Sequence, residues 1–196
     1  MVARGRPREF DLDDALDAAI EVFWRQGYEG TTLDDLTAAM GISRPSLYAA
    51  FGDKEATFKR AVERYTVVDM DYVNAALAQP TARAVAERFV YSNVRAITNP
   101  GRPAGCLSIQ GGLSGSKTDR RVVEFLNASR AASEDRFAQR FRRAVAEGDL
   151  AAGEDPAELA KYLNTITSGL AVQAAAGATR AQLTRVADRA LLAFPA

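Results

Sequence analysis

The fold is decided by residues 27–55, which read GYEGTTLDDLTAAMGISRPSLYAAFGDKE. Thr32 is followed three residues later by Asp35, a capping pattern that opens a helix. Gly41 comes about two turns further on, where helices commonly end on a glycine in the left-handed conformation. These signals predict a short helix and a tight turn after it.

A second short helix follows this turn. Ser43 has an N-cap side chain, and Pro45 is tolerated in the first helical turn because backbone donors there have no internal partner. The helix is expected to end near Gly52, and Asp53 to open a longer one. Two short helices around a glycine turn, flanked by longer helices, suit a helix-turn-helix module. An ordinary helical hairpin with Gly41 as its C-cap fits the same pattern.

The rest of the chain is also helical in pattern. Apolar residues recur at helical spacing, Asp11 caps the first helix, and residues 99–103 interrupt the pattern. No run of alternating apolar and polar residues predicts a strand, so we expect an all-α fold. We expect a three-helix N-terminal helix-turn-helix domain over residues 8–68 and a larger helical domain over residues 69–196. The other expected helices span residues 12–26, 53–78, 81–98, 105–115, 122–147, 156–176 and 179–192.

Composition excludes several classes of function. The chain has 196 residues, 47% of them hydrophobic, with no histidine and one cysteine, Cys106. An internal disulfide and a histidine metal site are thereby excluded, and the motifs of hydrolases and nucleotide-binding enzymes are missing. We expect no enzyme activity, no cofactor and no metal. No apolar run approaches the ~18–20 residues that span a bilayer, so a cytoplasmic protein without a membrane partner is expected.

The charge distribution is neutral overall and uneven locally. Lys and Arg total 25, as do Asp and Glu, and residues 1–65 hold nine basic and twelve acidic residues. Residues 37–52, however, contain no acid and one base, Arg44. Phosphate binding depends on the local face, because salt screens exposed charges beyond about 8 Å. The basic N-terminal arm, with Arg4 and Arg6, suits either an adjacent minor groove or a solvated tail.

Residues 27–55 resemble the DNA-binding domain of the tetracycline-repressor family. The resemblance lies in the Gly-Tyr-x-x-Thr-Thr opening at 27–32, the Gly-Ile-Ser turn at 41–43, and Leu-Tyr-x-x-Phe-x-x-Lys-Glu at 47–55. It implies a DNA-binding transcriptional repressor: a homodimer that binds a palindromic double-stranded operator and is released by a small hydrophobic molecule. A weaker resemblance to one branch of the family lies at residues 105–107, 169–171 and 177–192.

The second short helix is the expected reader of DNA. Its N-terminal residues would face base edges in a major groove about 12 Å wide. Arg44 suits a bidentate contact with guanine, and Ser46 can bond a base or a phosphate. By the resemblance, Thr32, Tyr48 and Lys54 take phosphate-contacting positions, while core packing is the alternative for Tyr48. The candidate DNA-binding residues are Thr32, Ser43, Arg44, Pro45, Ser46, Tyr48 and Lys54.

The middle of the chain is the expected ligand site. It mixes bulky apolar residues and a few polar ones with Gly111, Gly112 and Gly115, which leave volume unfilled. A simply packed core fits the same residues. Cys106 is interpreted as a buried inert thiol, with a redox or electrophile sensor as the alternative. The candidate ligand-binding residues are Met70, Phe89, Asn93, Cys106, Gln110, Phe125, Phe137 and Asn164.

The last two helices, over residues 156–176 and 182–192, are the expected dimer interface. Large apolar residues occur there with the small Gly169 and Ala174, which let backbones approach. Packing of the same stripe within one chain is the alternative. The large residues are Leu159, Tyr162, Leu163, Ile166 and Leu170.

Two other classes of function compete with the ligand-responsive regulator. One is a helical enzyme or carrier whose pocket includes Phe89, Cys106, Phe125 and Asn164, although no acid–base constellation favours catalysis. The other is a structural DNA-binding protein without a ligand. Four arginines of the long helix are interpreted as a solvated face, with a second nucleic-acid surface as the alternative: Arg136, Arg140, Arg142 and Arg143.

Overall fold

The computed structural model describes residues 10–113 and 120–195, with the backbone alone for residues 112 and 113. These residues contain helices and no β-strand, which confirms the predicted all-α fold. None of their helices is both long and apolar enough to cross a membrane. The predicted roles of Arg4, Arg6 and Gly115 lie outside the described residues. The helices are α1 (Leu12–Gly30), α2 (Leu33–Met40), α3 (Arg44–Phe51), α4 (Lys54–Val68), α5 (Tyr72–Leu77), α6 (Ala82–Ile97), α7 (Leu107–Leu113), α8 (Arg120–Glu147), α9 (Pro156–Ala175) and α10 (Arg180–Leu191).

α1 begins and breaks where the sequence predicts. The Asp11 carboxylate accepts hydrogen bonds from the backbone N–H groups of residues 13 and 14, at 2.7 and 3.1 Å. Gly27 has φ 71° and ψ 171°, a conformation that favours glycine and that interrupts the helix. A further helical turn follows to Gly30, so the element extends past the predicted stop.

α1 and α4 form the frame of the N-terminal domain. The rings of Phe23 and Phe58 meet edge-on with their centroids 5.0 Å apart, and both side chains are fully buried. At the other end of the pair, Arg64 of α4 donates two hydrogen bonds to the Asp17 carboxylate of α1, at 2.7 and 2.8 Å. The ring contact and the ion pair fix the direction of α4 relative to α1.

The helix predicted over residues 53–78 is broken in the structure. α4 ends at Val68 and α5 begins at Tyr72. At the break, the Asp69 carboxylate accepts hydrogen bonds from the Arg102 guanidinium, at 2.9 Å from Nε and 3.1 Å from Nη2. Because this partner lies 33 residues along the chain, local periodicity did not reveal the break.

Phenylalanine side chains build much of the C-terminal core. The rings of Phe89 in α6 and Phe137 in α8 have centroids 4.4 Å apart. Phe141 extends the cluster to Phe194 near the C-terminus, at 5.5 Å. Phe137 is fully buried, so its packing neighbours are other rings of the core.

Arg140 corrects the prediction of a solvated arginine face on α8. Its side chain is buried, and its Nη2 donates hydrogen bonds to the carbonyls of Gln79 and Pro80, at 2.9 Å each. The guanidinium thus ties α8 to the turn between α5 and α6. Arg136, Arg142 and Arg143 are exposed, as predicted.

α9 uses most of its predicted apolar stripe within its own chain. Leu159, Leu163 and Leu170 are buried, as the intramolecular alternative requires. Gly169 is exposed, and a Cβ added there would meet no atom within 4 Å. The apolar side chains that remain exposed on the last two helices are Val172, Val186 and Leu192.

Candidate DNA interface and ligand cavity

α2, the turn and α3 form the predicted helix-turn-helix. The Thr32 hydroxyl accepts a hydrogen bond from the Asp35 N–H, and the Thr32 N–H donates to the Asp35 carboxylate, which completes the capping box. Gly41 closes α2 in the left-handed conformation, with φ 64°. Leu36 and Leu47 are fully buried between the frame and the two short helices. α3 is therefore held by one face and exposes the other.

The exposed face of α3 carries most of the candidate DNA contacts. Ser43, Arg44 and Pro45 are exposed, and Ser46 is half-buried with its hydroxyl 2.9 Å from that of Ser43. The Tyr48 side chain is 51% exposed, so the alternative of core packing is wrong. This face presents a guanidinium, two small hydroxyls and a phenol, which are groups able to bond base edges and phosphates.

Arg44 is paired within the free chain. Its Nε and Nη2 both donate to Oδ1 of Asp34 in α2, at 3.1 and 2.8 Å. Both side chains remain more than half exposed. Sequence reasoning missed this pair, because the two residues lie ten positions apart on separate helices.

Lys54 also has partners that the sequence did not reveal. Its ammonium donates to the carbonyls of Tyr28 and Thr31, at 2.8 Å each, and lies 4.4 Å from the centroid of the Tyr28 ring. The first residue of α4 is thus bonded to the end of α1, next to the break at Gly27. Two of the three ammonium protons serve this contact.

A cavity of about 1010 Å³ lies among α4, α5, α6, α7, α8 and α9. Phe89, Asn93 and Cys106 are buried at its wall, whereas Lys161 and Arg142 are exposed. Lys161 and Arg142 therefore lie on the outer part of the lining, while the half-buried Arg130 donates to the Ser108 carbonyl at 2.9 Å. Five candidate ligand-binding residues line the cavity: Met70, Phe89, Asn93, Cys106 and Asn164.

The other three candidates contact protein instead of the cavity. Gln110 accepts a hydrogen bond from the indole Nε1 of Trp24, at 2.9 Å. Phe125 is half-buried with the Lys59 ammonium 5.8 Å from its ring centroid, and Phe137 belongs to the phenylalanine core. Gln110, Phe125 and Phe137 therefore do not line the cavity.

The buried wall contains polar groups in close contact. The Tyr65 hydroxyl donates to Sγ of Cys106 at 3.3 Å, and the Ser108 hydroxyl lies 3.1 Å from the same sulfur. Burial raises the pKa of the Tyr65 hydroxyl well above its usual value, so it remains a donor. Asn93 Nδ2 donates to the Tyr72 hydroxyl at 3.1 Å. Sequence reasoning missed Tyr72 and Ser108, because only the packing of α5 and α7 brings them to the cavity.

α7 separates the cavity from the N-terminal domain. Ser108 and Ile109 line the cavity, while Gln110 bonds Trp24 of α1. At Gly111, an added Cβ would lie 3.0 Å from the Phe58 ring of α4, so the close approach of α7 to α4 favours glycine. A displacement of the cavity wall at α7 would therefore reach α1 and α4 directly.

Comparisons with known proteins place both halves of the chain. Residues 15–61 match the family model described as bacterial regulatory proteins of the tetR family. Residues 83–190 match the model described as the tetracyclin repressor-like C-terminal domain. The HTH-type transcriptional repressor ComR of Escherichia coli K12 is 33% identical over 196 residues, covering 98% of this chain and 93% of ComR. The uncharacterized regulator YezE of Bacillus subtilis is 36% identical over 163 residues, covering 82% of this chain and 84% of YezE.

A solved structure shares both fold and sequence with the chain. It is a cysteine mutant of the TetR family regulator CifR, complexed with a 26 bp double-stranded operator DNA. CifR is 42% identical, with a TM-score of 0.92 over 97% of this chain and 100% of that one.

Proposed function

Because this chain belongs to the tetracycline-repressor family of bacterial regulatory proteins, we propose that it represses transcription by binding an operator and that a small molecule releases it. The observation that carries the proposal is the exposed face of α3, held on the α1–α4 frame by buried Leu36 and Leu47. The operator complex of CifR, 42% identical over nearly the whole chain, supports double-stranded DNA as the partner.

The DNA contacts divide by chemistry. Arg44 exchanges Asp34 for a guanine and reads sequence, together with Ser43, Pro45 and Ser46 at the start of α3. Tyr48 bonds a phosphate, and Lys54 adds its remaining proton. The Thr32 hydroxyl, which donates to the Asp35 carboxylate at 2.7 Å in the free chain, exchanges this acceptor for a phosphate oxygen. Phosphate contacts place the domain on the duplex, and base contacts choose the operator.

A homodimer gives the operator its symmetry. Two copies of α3 about 34 Å apart match half-sites one helical turn apart, which makes the operator palindromic. The exposed apolar side chains of α9 and α10, Val172, Val186 and Leu192, form the surface for the second copy. Gly169, with open space above it, lets the two α9 helices approach.

The ligand acts through the cavity and α7. A ligand that prefers the arrangement with misplaced α3 helices shifts the dimer toward it, whereas equal affinity for both arrangements shifts nothing. α7 carries the change, because it joins the cavity wall to Trp24 and Phe58. A typical coupling of about 1–3 kcal/mol weakens operator binding roughly 5- to 150-fold.

The test is a selection from random duplexes with the full chain, followed by footprinting and titration of the selected sequence. We expect a palindrome with half-sites one helical turn apart. A chain that prefers no sequence contradicts the regulator proposal.

A screen of small molecules by thermal shift, with each binder added to the operator titration, tests the release step. If every binder leaves operator affinity unchanged, release by a ligand is wrong while DNA binding stands.

A further inference from the structure

The Asn93 amide has an unmet hydrogen bond at the cavity. The residue lines the cavity and is 5% exposed. Its Nδ2 donates to the Tyr72 hydroxyl at 3.1 Å, but its Oδ1 accepts no hydrogen bond from any residue that the structure describes. Buried amide oxygens are nearly always bonded, so this exception points to a partner from outside the chain.

The Tyr72 hydroxyl has no hydrogen-bond acceptor among the residues that the structure describes. Across the described ranges its hydroxyl makes only the bond with Asn93, in which it is the acceptor. Burial raises the pKa of this hydroxyl, so at neutral pH it keeps a proton to donate. Whichever way the Asn93 amide is turned, the pair is left with at least one donor and one acceptor. Its complement is a single group that both accepts and donates a hydrogen bond.

Apolar side chains lie beside the pair. The Phe89 ring stacks near Tyr72, at 6.2 Å between centroids, and Met70 and Val73 also line the cavity. No charged side chain on the described lining is fully buried. The half-buried Arg130 of the lining is bonded to the Ser108 carbonyl at 2.9 Å, and an ionised ligand group placed beside the pair would lose its hydration.

We propose that the inner end of the cavity binds the hydroxyl group of an uncharged ligand, with the apolar body of the ligand against Phe89 and Met70. The ligand O–H donates to Asn93 Oδ1, and the Tyr72 hydroxyl donates to the ligand oxygen. This inference rests on the proposed function and names the chemistry of its inducer as an alcohol. It also selects Asn93 and Tyr72 as the residues that set ligand specificity.

The experiment compares three probes of similar shape: 2-phenylethanol, propylbenzene and phenylacetate. The full chain is labelled at its methionine methyl groups, of which there are three. Met70 lines the cavity and reports binding, while Met40 is buried in α2 and serves as the internal control. We expect 2-phenylethanol to shift the Met70 signal with at least about tenfold higher affinity than propylbenzene, because a site built for a hydroxyl rejects the analogue that lacks one. Phenylacetate should bind weaker than 2-phenylethanol.

Two variants and one matched control locate the contact. Asn93→Leu should abolish the preference for 2-phenylethanol over propylbenzene, and Tyr72→Phe should reduce it without removing a large side chain. Asn99→Leu makes the same change at an exposed residue outside the cavity lining, whose Oδ1 already accepts from the Gly101 N–H at 3.0 Å, and should keep the preference. An unchanged Met40 signal shows that each variant retains its N-terminal fold.

Three results would overturn the inference: equal affinity of 2-phenylethanol and propylbenzene for the wild type, an unchanged preference in both Asn93→Leu and Tyr72→Phe, or no movement of Met70 with any probe at millimolar concentration. Operator binding is measured on the same samples without a probe. Its absence would contradict the proposed function, whereas its presence with a failed probe series contradicts the alcohol site alone.

Discussion

Nη2 of Arg44 lies 2.8 Å from Oδ1 of Asp34, and Nε of the same guanidinium lies 3.1 Å from that oxygen. The arginine proposed to read guanine is thus held in the DNA-free chain by an acid of the preceding helix. Exposed ion pairs contribute only about 0–1 kcal/mol, so a bidentate guanine contact can replace this one. Asp34 both orients Arg44 and opposes the approach of phosphates.

Asp34→Asn should strengthen binding to random duplex more than binding to the operator. The change removes a negative charge from the face of α3 and frees Arg44 to contact phosphates as well as guanine. Dissociation constants for both duplexes at several salt concentrations measure the effect. Asp135→Asn on α8 makes the same change of charge elsewhere. Equal gains for the two duplexes in Asp34→Asn would show that Asp34 acts by charge alone.

Arg44→Ala should lower discrimination between operator and random duplex by about 1–3 kcal/mol, the value of a good bidentate base contact. The random duplex should lose much less affinity than the operator. Competition titrations give the dissociation constants for the operator and for the random duplex. Arg25→Ala on α1 removes an exposed, paired arginine away from α3 and is the control. A uniform loss across sequences would reassign Arg44 to the phosphates.

Lys54→Ala should reduce both stability and DNA affinity. Loss of the ammonium removes its hydrogen bonds to the carbonyls of Tyr28 and Thr31, at a cost of about 1–3 kcal/mol in the free energy of unfolding. Affinity should fall for all sequences, with a flatter salt dependence. Urea unfolding and salt titrations separate the two effects, with Lys59→Ala as the control on the same helix. An unchanged salt slope would limit Lys54 to its structural contact.

Gln110→Leu should uncouple ligand binding from DNA release. The substitution removes the acceptor of the Trp24 indole N–H at the contact of α7 with α1. Ligand affinity should change little, while the ligand-induced loss of operator affinity should shrink. Trp24 is the only tryptophan of the chain, so its fluorescence reports this contact. Gln139→Leu on the exposed face of α8 is the control. Full release in the Gln110 variant would place the coupling elsewhere.

Gly169→Trp should dissociate the dimer without unfolding the chain. The indole would fill the open space above α9 that we propose for the second copy. Light scattering at micromolar concentration and circular dichroism measure mass and folding. Gly153→Trp, also at a position with no atom within 4 Å of an added Cβ, is the control in the loop before α9. A monomeric wild type would contradict the dimer itself.

Features decided by neighbouring residues could be predicted from the sequence. The Thr32–Asp35 capping box, the Gly41 turn and the Asp53 cap need only a few consecutive residues, and the structure confirms each. The capping box of Thr179 with Gln182, which opens α10, is of the same local kind. Local hydrogen bonds of this kind also set where α3 begins, which is why the helix proposed to read DNA could be located from the sequence.

Features decided by distant residues could not be predicted. Asp69 meets Arg102 at the break between α4 and α5, and periodicity contains no information about that pair. Gln110 was expected at the ligand because of its polar side chain, but its acceptor serves Trp24, 86 residues away. Tyr72 was absent from the expected site because nothing local predicts its contact with Asn93 on another helix.

The seven residues of α7 line the cavity on one side and pack on the N-terminal domain on the other. This double role limits which substitutions can change ligand specificity during evolution. Substitutions at cavity residues of α8 and α9, such as Ser133 or Thr165, alter what the cavity accepts without touching the DNA-binding domain. Substitutions in α7 alter recognition and output together, because Ile109 faces the cavity while Gly111 packs on Phe58. New inducer specificities should therefore accumulate on α8 and α9 during divergence. A biosensor library built on this chain should therefore keep residues 107–113 constant, because more of its variants will then still respond to a ligand.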